Sequence, residues 1–286
     1  MRSEVNVTVG GQSYSFGMDG RQPLANDEAR KWLDDQFVAL ECEPLRASGK
    51  VLLADKVVAI AQQQGVSVIY VETANAKSKV DVVNPAPLKQ LVVLAHAAGI
   101  RVVPWYLPGF QNPKADQRRL AAAMAIGGTQ AVDGIAVDIE ATYVKNPSLR
   151  AQRAAALVAW LRATYPKAAI GAITPSPVNM YWPIFPYDEL RTSADAFLPM
   201  CYPPRRLSAQ KMYDMTVGCV TKLREVTGDP ALPVHVVSGL AGGLSTAGLD
   251  AAARGARDAG ANGFSFYDLA TTKANGWAAL ATWSAG

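Results

Sequence analysis

The sequence is poor in cysteine and histidine, with three cysteines and two histidines in 286 residues. Three cysteines are too few for a disulfide framework, although one disulfide bond between two of them is possible. Because His96 and His235 are the only histidines, the chain has few side chains that could form a zinc site or a cysteine–histidine nucleophile. The sequence therefore predicts no metal site and implies no organic cofactor.

Long apolar runs and clusters of basic residues are also missing. No run approaches the roughly 18 apolar residues that suggest a membrane span, and the N-terminus has no apolar signal core. The net charge is only +4, and the basic residues are scattered along the chain. A nucleic-acid surface would need them clustered on one face. These absences argue against a membrane or nucleic-acid partner.

What the sequence does contain is a repeating alternation of strand-like and helix-like segments. Half of the residues are hydrophobic, which excludes a disordered chain and supplies a sizeable core. The predicted strands are Ser67–Glu72, Arg101–Leu107, Gly134–Glu140, Ala169–Thr174, Ala196–Tyr202, Val234–Ser238 and Gly263–Asp268. The predicted helices lie near 52–64, 86–98, 114–127, 148–164, 208–226, 246–259 and 274–283.

Units that repeat about every 30–35 residues predict an α/β fold, a (β/α)8 TIM barrel with one strand still to be placed. Several predicted helices end in glycine before the next strand, at Gly65, Gly99 and Gly260, because glycine accepts the left-handed conformation that ends a helix. A doubly wound open sheet is the alternative. That fold would show a glycine-rich dinucleotide turn after its first strand, and none is present.

The N-terminal segment follows the repeat less well. Alternating valines, then Gly10-Gly11, then Tyr14 and Phe16, predict a β-hairpin with a tight turn. The expected organisation is therefore a hairpin extension at 1–20 and a single barrel domain at 21–286.

Two placements of the first barrel strand are open. Either it is Ser13–Met18, which would put Asp19 near a strand end, or it is degenerate and the hairpin closes the bottom of the barrel. Asn26 or Asp27 is expected to cap a helix that runs to about Glu41.

One predicted strand ends in two carboxylates, at the end of the barrel where such folds place their chemistry. Residues 133–140 are Asp-Gly-Ile-Ala-Val-Asp-Ile-Glu. Because strand side chains alternate between faces, Ala136, Asp138 and Glu140 should face the barrel axis. Neighbouring carboxylates there are costly unless used or paired, and their proximity should raise one pKa towards the range of a general acid. The alternative is a rim salt bridge to an arginine or lysine.

This strand resembles the catalytic strand of glycoside hydrolase family 18, the chitinase and endo-N-acetylglucosaminidase family. The family signature is Asp-Gly-x-Asp-x-Asp-x-Glu. Asp133, Gly134, Asp138 and Glu140 match it, while Ala136 replaces the first inner Asp. Related glycoside hydrolase-like barrel families share the strand without the full signature, and the chain is equally similar to that looser set.

Two further segments are similar to family 18 motifs. Met200-Cys201-Tyr202 is similar to the Met-x-Tyr at the end of the family's sixth strand, although Pro203 replaces the Asp that often follows. Tyr267 takes the place of the Trp that usually ends the last strand and floors the sugar site.

The resemblance implies a role for each matching residue. Glu140 would protonate the glycosidic oxygen, and Asp138 would orient the substrate's own 2-acetamido group, which attacks the anomeric carbon. Tyr202 would hydrogen-bond that acetamido group, and Tyr267 would stack on the sugar. In the family, the Asp at the position of Ala136 helps set the ionisation of the next Asp. Its absence should weaken catalysis or move the site to another carboxylate pair.

Other residues at predicted strand ends and in loops are candidates for binding substrate. A conventional mechanism would pair Glu140 with Glu72 or Asp268, about 5 Å apart for retention or about 6.5–9.5 Å apart for inversion. Aromatic rings on this face are suited to stacking on sugars. The predicted substrate-binding residues are Glu72, Trp105, Tyr106, Trp182, Met200, Tyr267 and Asp268.

The sequence thus predicts a glycoside hydrolase whose partner is an oligosaccharide or polysaccharide. The resemblance implies a glycan rich in N-acetylhexosamine, chitin-like or peptidoglycan-like. Such a function favours a secreted, cell-surface or phage-particle protein over a cytoplasmic one. The excess of arginine over lysine and the abundant alanine indicate a GC-rich bacterial or phage genome. The oligomeric state stays open.

Two rival functions are considered. A non-catalytic sugar-binding barrel would keep the aromatic residues and lose turnover, and Ala136 is the main argument for it. A phosphate-binding barrel would use the glycine-rich segment Ser238–Gly243, ahead of a helix capped by Ser245 or Thr246. Such barrels usually have a second glycine-rich loop after the last strand, and here that loop, 269–272, has no glycine.

Overall fold

The computed structural model describes residues 4–9, 12–17, 31–33, 37–42, 54–203, 207–239 and 241–284. Ten strands are assigned in these ranges: β1 (Glu4–Val9), β2 (Gln12–Gly17), β3 (Phe37–Cys42), β4 (Val68–Asn75), β5 (Arg101–Leu107), β6 (Ile135–Asp138), β7 (Ile170–Pro175), β8 (Ala196–Cys201), β9 (His235–Ser238) and β10 (Gly263–Phe266). The helices there are α1 (Ala54–Gln63), α2 (Pro85–Ala97), α3 (Pro113–Met124), α4 (Pro147–Thr164), α5 (Tyr187–Arg191), α6 (Ala209–Thr227), α7 (Thr246–Asp258) and α8 (Ala274–Ser284).

Strands β3 to β10 are parallel and form a closed barrel, in which β10 pairs with β3. Each barrel strand is followed by a helix, so the predicted (β/α)8 barrel is confirmed. Within the described ranges, no helix is both long and apolar enough to cross a membrane.

The N-terminal hairpin is also confirmed. β1 and β2 pair antiparallel, with Val5 opposite Phe16, in a two-stranded sheet separate from the barrel sheet. The predicted Gly10-Gly11 turn lies outside the described residues.

The position of the first barrel strand was predicted incorrectly. The strand is β3, which pairs with β4 and β10, and neither Ser13–Met18 nor a degenerate strand takes that place. The helix expected to reach Glu41 is likewise wrong over 37–41, where the chain is extended. Asp19, Asn26 and Asp27 lie outside the described residues.

A short 3-10 helix, Lys31–Leu33, leads into β3 and fills the N-terminal end of the barrel. Trp32 and Leu33 are buried with the inward-facing side chains of the strands. The Arg101 guanidinium, at the start of β5, lies 5.5 Å from the centre of the Trp32 ring. Because this end is closed by apolar packing, the opposite end is the one left for chemistry.

Local sequence signals set the helix ends that frame this opposite end. The side chains of Asn112 and Asn146 accept hydrogen bonds from the backbone three residues on, so they cap α3 and α4 directly after β5 and β6. Gly65, Gly99 and Gly260 have φ values of 66°, 72° and 70°. These three glycines therefore terminate helices in the left-handed conformation, as predicted.

Candidate active site

The two carboxylates after β6 lie where the alternation predicts. Ile135, Val137 and Ile139 pack in the core between strands and helices, whereas Ala136 packs inside the barrel. Asp138 ends β6 and is 5% exposed, and Glu140 follows two residues later and is partly exposed. The pair therefore reaches from the barrel interior to its C-terminal rim.

Burial and mutual repulsion act on the ionisation of this pair. Burial raises the pKa of Asp138 well above its usual value, and the charges of Glu140, Glu72 and Glu41 add to the shift. Burial also raises the pKa of Glu140. Because burial raises both pKa values and Glu140 adds its charge at Asp138, the pair holds a proton to higher pH than two separate carboxyls would.

No described arginine or lysine neutralises the pair, which argues against the rim salt bridge. Neither Asp138 nor Glu140 forms an ion pair within the described ranges. The Oδ1 atom of Asp138 is buried and has no hydrogen-bond partner among the described atoms. A buried acceptor of this kind is costly unless a ligand or water satisfies it, so the geometry suits a binding site.

The other two carboxylates predicted for the site lie near its walls. Glu72, on β4, is buried and accepts a hydrogen bond of 3.1 Å from the side chain of Asn75. Asp268 is buried just after β10, and its Oδ1 accepts a 3.1 Å hydrogen bond from the backbone of Thr271. Burial is the largest cause that raises the pKa of Asp268. Asp268 therefore also has a structural task, because it holds the turn that follows β10.

Glu41 is a fifth carboxyl group in the barrel, and sequence reasoning missed it. It lies on β3, fully buried, where burial raises its pKa to about 8. Ser265 donates a 3.1 Å hydrogen bond to it, and the same hydroxyl lies 3.1 Å from His235 Nε2. Counting one repeat back from β4 would have placed a strand at this position.

Aromatic and apolar side chains form the rest of the rim. Tyr202 follows β8 and is 36% exposed, and its ring centre lies 6.2 Å from that of Tyr267. Partial burial, and then the carboxyl groups led by Asp138, raise the pKa of Tyr202. Met200 and Tyr267 pack at the top of the interior cluster. The two tyrosines therefore lie together at the C-terminal end of the barrel, the same end as the carboxylate pair.

Ala136 is explained by the packing beneath the carboxylates. It is fully buried between Trp105 and Gly171 on the neighbouring strands. A Cβ at Gly171 would lie 2.9 Å from a Leu198 methyl and 3.3 Å from the Ala136 Cβ. A side chain at Gly171 would therefore crowd both Leu198 and Ala136, so packing is close at this level of the barrel. The buried indole nitrogen of Trp105 has no hydrogen-bond partner in the described part of the chain.

Tyr106 was predicted to bind substrate, and the structure places it elsewhere. Its side chain is fully buried between β5 and α3, where the hydroxyl donates a 2.6 Å hydrogen bond to Asp116. Arg119 donates to the same hydroxyl at 3.0 Å. The reason is strand alternation: Trp105 points inwards, so Tyr106 must point towards the helices.

Trp182 was predicted to stack on a sugar, but its ring is 3% exposed. Its indole N–H donates a 3.2 Å hydrogen bond to the backbone carbonyl of Glu140. The loop after β7 folds inwards at this point, so Trp182 supports the site from behind and offers no open ring face.

The glycine-rich segment after β9 has a packing role. A Cβ at Gly242 would lie 2.8 Å from the carbonyl oxygen of Thr271, so glycine lets two loops approach closely. Ser245 caps α7, as one of the two predicted alternatives, by accepting a 3.2 Å hydrogen bond from the backbone of Gly248. Among the described residues, no group of three or more His, Cys, Asp or Glu is arranged to hold a metal ion.

No protein-family model and no curated protein matches this chain. Solved structures do match it. The spore cortex-lytic enzyme SleL from Bacillus megaterium QM B1551 is 10% identical with a TM-score of 0.61, over 86% of this chain and 73% of that one. A variant of a family 18 chitinase from Cycas revoluta, in complex with (GlcNAc)4, is 9% identical with a TM-score of 0.65, over 87% and 99%.

A chitinase-like agglutinin from Robinia pseudoacacia is also similar, 11% identical with a TM-score of 0.61, over 87% of this chain and 99% of that chain. The chain therefore has the barrel fold of family 18 chitinases. At identities near 10%, this likeness is one of fold.

Proposed function

We propose that this protein is a glycoside hydrolase with Glu140 as its general acid and Asp138 as the assisting carboxylate. The observation behind the proposal is the pair itself: two neighbouring carboxyl groups at the C-terminal end of the barrel, neither of which forms an ion pair with another described residue. Burial raises the pKa of Glu140, which is the direction that a proton donor near neutral pH needs.

In the proposed reaction, Glu140 transfers its proton to the glycosidic oxygen as the bond to the anomeric carbon breaks. The substrate's acetamido oxygen forms the new bond to that carbon, and Asp138 accepts a hydrogen bond from the acetamido N–H. Water then attacks the anomeric carbon as its bond to the acetamido oxygen breaks, and Glu140 takes a proton from that water, so the acetamido group and the acid are both regenerated. In this proposal Tyr202 donates a hydrogen bond to the acetamido oxygen, and Tyr267 stacks on the sugar ring.

The proposed substrate is a glycan containing N-acetylhexosamine, either chitin-like or peptidoglycan-like. Two similarities support this class. One structure of similar fold binds (GlcNAc)4, and another is a spore cortex-lytic enzyme. The absence of a described cation in the carboxylate pair favours a neutral or N-acetylated sugar at this position over an additional anion.

A turnover screen tests the proposal. Wild type, Glu140→Gln and the surface control Glu225→Gln are incubated with chromogenic glycosides, chito-oligosaccharides and purified bacterial cell wall. We expect cleavage by wild type and Glu225→Gln, and a loss of about 10²–10⁴-fold in Glu140→Gln. Full activity in Glu140→Gln would refute the assignment of the acid. Loss in Glu72→Gln but not in Asp138→Asn would indicate a conventional pair with Glu72.

A recognition-only barrel is the second candidate, and two observations favour it. Ala136 stands where the family signature has an Asp, and a chitinase-like agglutinin has a similar fold. Under this hypothesis the same screen shows no cleavage by any variant, while calorimetry still detects oligosaccharide binding.

A further inference from the structure

The backbone carbonyl of Glu140 accepts two side-chain hydrogen bonds from one loop. The Tyr181 hydroxyl donates to it at 2.9 Å, and the Trp182 indole N–H donates at 3.2 Å. Both donors lie between β7 and α5, some forty residues further along the chain. The backbone of the proposed acid is therefore fixed by a loop that belongs to the next strand.

Trp182 is itself held on all sides. The Arg150 guanidinium lies 4.3 Å from the centre of its ring, and Phe110 and Phe185 approach edge-on, with ring centres 6.1 Å and 5.2 Å away. Arg150 is 4% exposed and donates a 3.0 Å hydrogen bond to the backbone of Val144. Such packing fixes the orientation of the Trp182 ring. The direction of its indole N–H, and with it the position of the Glu140 carbonyl that accepts the hydrogen bond, is then well defined.

Tyr181 differs from Trp182 because its ring is open to solvent. The residue is 54% exposed although its hydroxyl is hydrogen-bonded to the Glu140 carbonyl. Partial burial, and then the carboxyl groups of Glu140 and Asp138, raise its pKa. Val178 and Ile184, on the same loop, are also about half exposed, at 47% and 48%.

Tyr181 lies beside Glu140, because its hydroxyl donates directly to the carbonyl of that residue. Tyr202 lies beside Tyr267 instead, with ring centres 6.2 Å apart. In a hydrolase with Glu140 as acid, the Glu140 side is the side of the departing sugar.

We propose that Tyr181 and Trp182 form a clamp that positions Glu140, and that the exposed ring of Tyr181 binds the sugar on the leaving-group side. This inference rests on the proposed function. Trp182 is a positioning residue, because it acts only through the Glu140 backbone. Tyr181 both positions Glu140 and binds the sugar. A sugar stacked on its ring therefore contacts the same side chain that holds the acid in place. Binding on this side and acid alignment are then coupled.

Three substitutions separate the two roles. Trp182→Phe and Tyr181→Phe each remove one hydrogen bond to Glu140 and keep an aromatic ring. We expect kcat to fall about threefold to tenfold in each, with KM little changed, because the lost bond aligns the acid. Tyr181→Leu also removes the ring, so KM for oligosaccharides extended on the leaving-group side should rise about threefold to tenfold.

Matched controls are available elsewhere in the chain. Tyr213→Phe removes a phenol hydrogen bond to Asp258 on the surface of α6, and Trp160→Phe shortens a tryptophan that packs against Tyr165. Both should leave kcat, KM and the pH profile unchanged. Equal losses in the controls and in the clamp variants would overturn the proposal, since they would show a general effect of aromatic substitution.

A second measurement does not depend on turnover. The pKa of the Glu140 carboxyl is followed by ¹³C NMR in wild type and the three variants, and chito-oligosaccharide binding is followed by calorimetry. The clamp predicts a shifted Glu140 pKa in both phenylalanine variants and weaker binding only in Tyr181→Leu. An unmoved pKa and unchanged binding would refute the clamp. Shifts without any cleavage by wild type would refute the hydrolase and retain the clamp.

Discussion

Ser265 donates a 3.1 Å hydrogen bond to Glu41, although 224 positions separate the two residues in the sequence. The bond joins the first and last strands inside the barrel, where the ring centre of Tyr70 lies 5.0 Å from that of His235. Burial lowers the pKa of His235 to about 3, so the imidazole is neutral at physiological pH. A neutral, hydrogen-bonded polar layer therefore lies below the proposed active site.

The titration of Glu41 predicts a specific pH dependence of stability. Its pKa is about 8 in the folded protein against an ordinary value of 4.5, so between these pH values the folded state holds a proton that the unfolded state has released. The contribution of Glu41 to the unfolding free energy must then fall as pH rises from about 4.5 to about 8. Glu41→Gln should gain a few kcal/mol relative to wild type across this interval.

Urea unfolding at pH 5 and pH 8 measures this difference directly. The surface variant Glu225→Gln retains Glu41 and removes a side chain that is 66% exposed, so its stability should fall between the two pH values by as much as that of wild type. If wild type and Glu41→Gln had parallel pH dependences, Glu41 would not be the group that holds the proton.

Restoring the family's Asp at position 136 is expected to destabilise the protein without raising turnover. Ala136 is fully buried beside Trp105 and Gly171, so a carboxyl there would be removed from water. Burial would keep it protonated, so Ala136→Asp should lose about 2–4 kcal/mol, and more at pH 8 than at pH 5.

Ala136→Asn is the matched control, since it has nearly the same volume and no charge. Its loss of stability should be the same at both pH values in chemical denaturation. A stable Ala136→Asp variant with higher turnover would show that the small residue is a catalytic defect and not a packing requirement.

The carboxylate pair predicts where hydrolytic activity ends on the alkaline side. Because burial raises the pKa of Glu140, its acid form should persist above the range of an ordinary glutamate, and kcat/KM should fall as pH passes the raised value. Asp138→Asn removes the neighbouring negative charge, so the alkaline limb should move to lower pH while kcat falls at least about tenfold.

The pH profile of kcat/KM for both proteins checks this prediction. Glu225→Gln should reproduce the wild-type profile. An alkaline limb that Asp138→Asn leaves in place would mean that the two carboxyls do not share their titration.

The disulfide between Cys201 and Cys219 ties the end of β8 to α6. It closes a segment with a sequence separation of 18, which constrains the unfolded chain. The Cys201→Ala/Cys219→Ala variant should therefore lose about 3 kcal/mol in the unfolding free energy. Because Tyr202 directly follows Cys201, we also expect weaker oligosaccharide binding.

Urea unfolding with and without reductant separates the disulfide from the packing of the two side chains. Reductant should destabilise wild type and Cys42→Ala alike, since Cys42 is a free, buried cysteine, and should not affect the double variant. Insensitivity of wild type to reductant would contradict the stabilising role.

The sequence could predict much of the barrel because its signals are local. Alternating faces in β6 follow from a two-residue period, and the ends of α1, α2 and α7 follow from glycines that tolerate a positive φ. The same alternation should have excluded Tyr106 from the site once Trp105 was placed inside.

The residue pattern of the first strand does not identify it, and only the spacing of the repeat points to its position. The segment Phe37–Cys42 is short and apolar, a pattern that suits either a strand or a buried helix. Its pairing with β10 decides the matter, and that partner lies more than two hundred residues away. Glu41 lies on this strand, so its place in the barrel also depends on that distant partner.

By itself, the sequence determined the repeating fold, the direction of the Asp138 and Glu140 side chains and the helix ends, because each depends on neighbours a few residues apart. Tertiary structure alone decided that Glu41 joins the barrel interior, that Trp182 turns inwards to the Glu140 carbonyl, and that Cys201 meets Cys219. Barrel closure and loop packing bring distant segments together, and only their combined burial fixes which side chains meet.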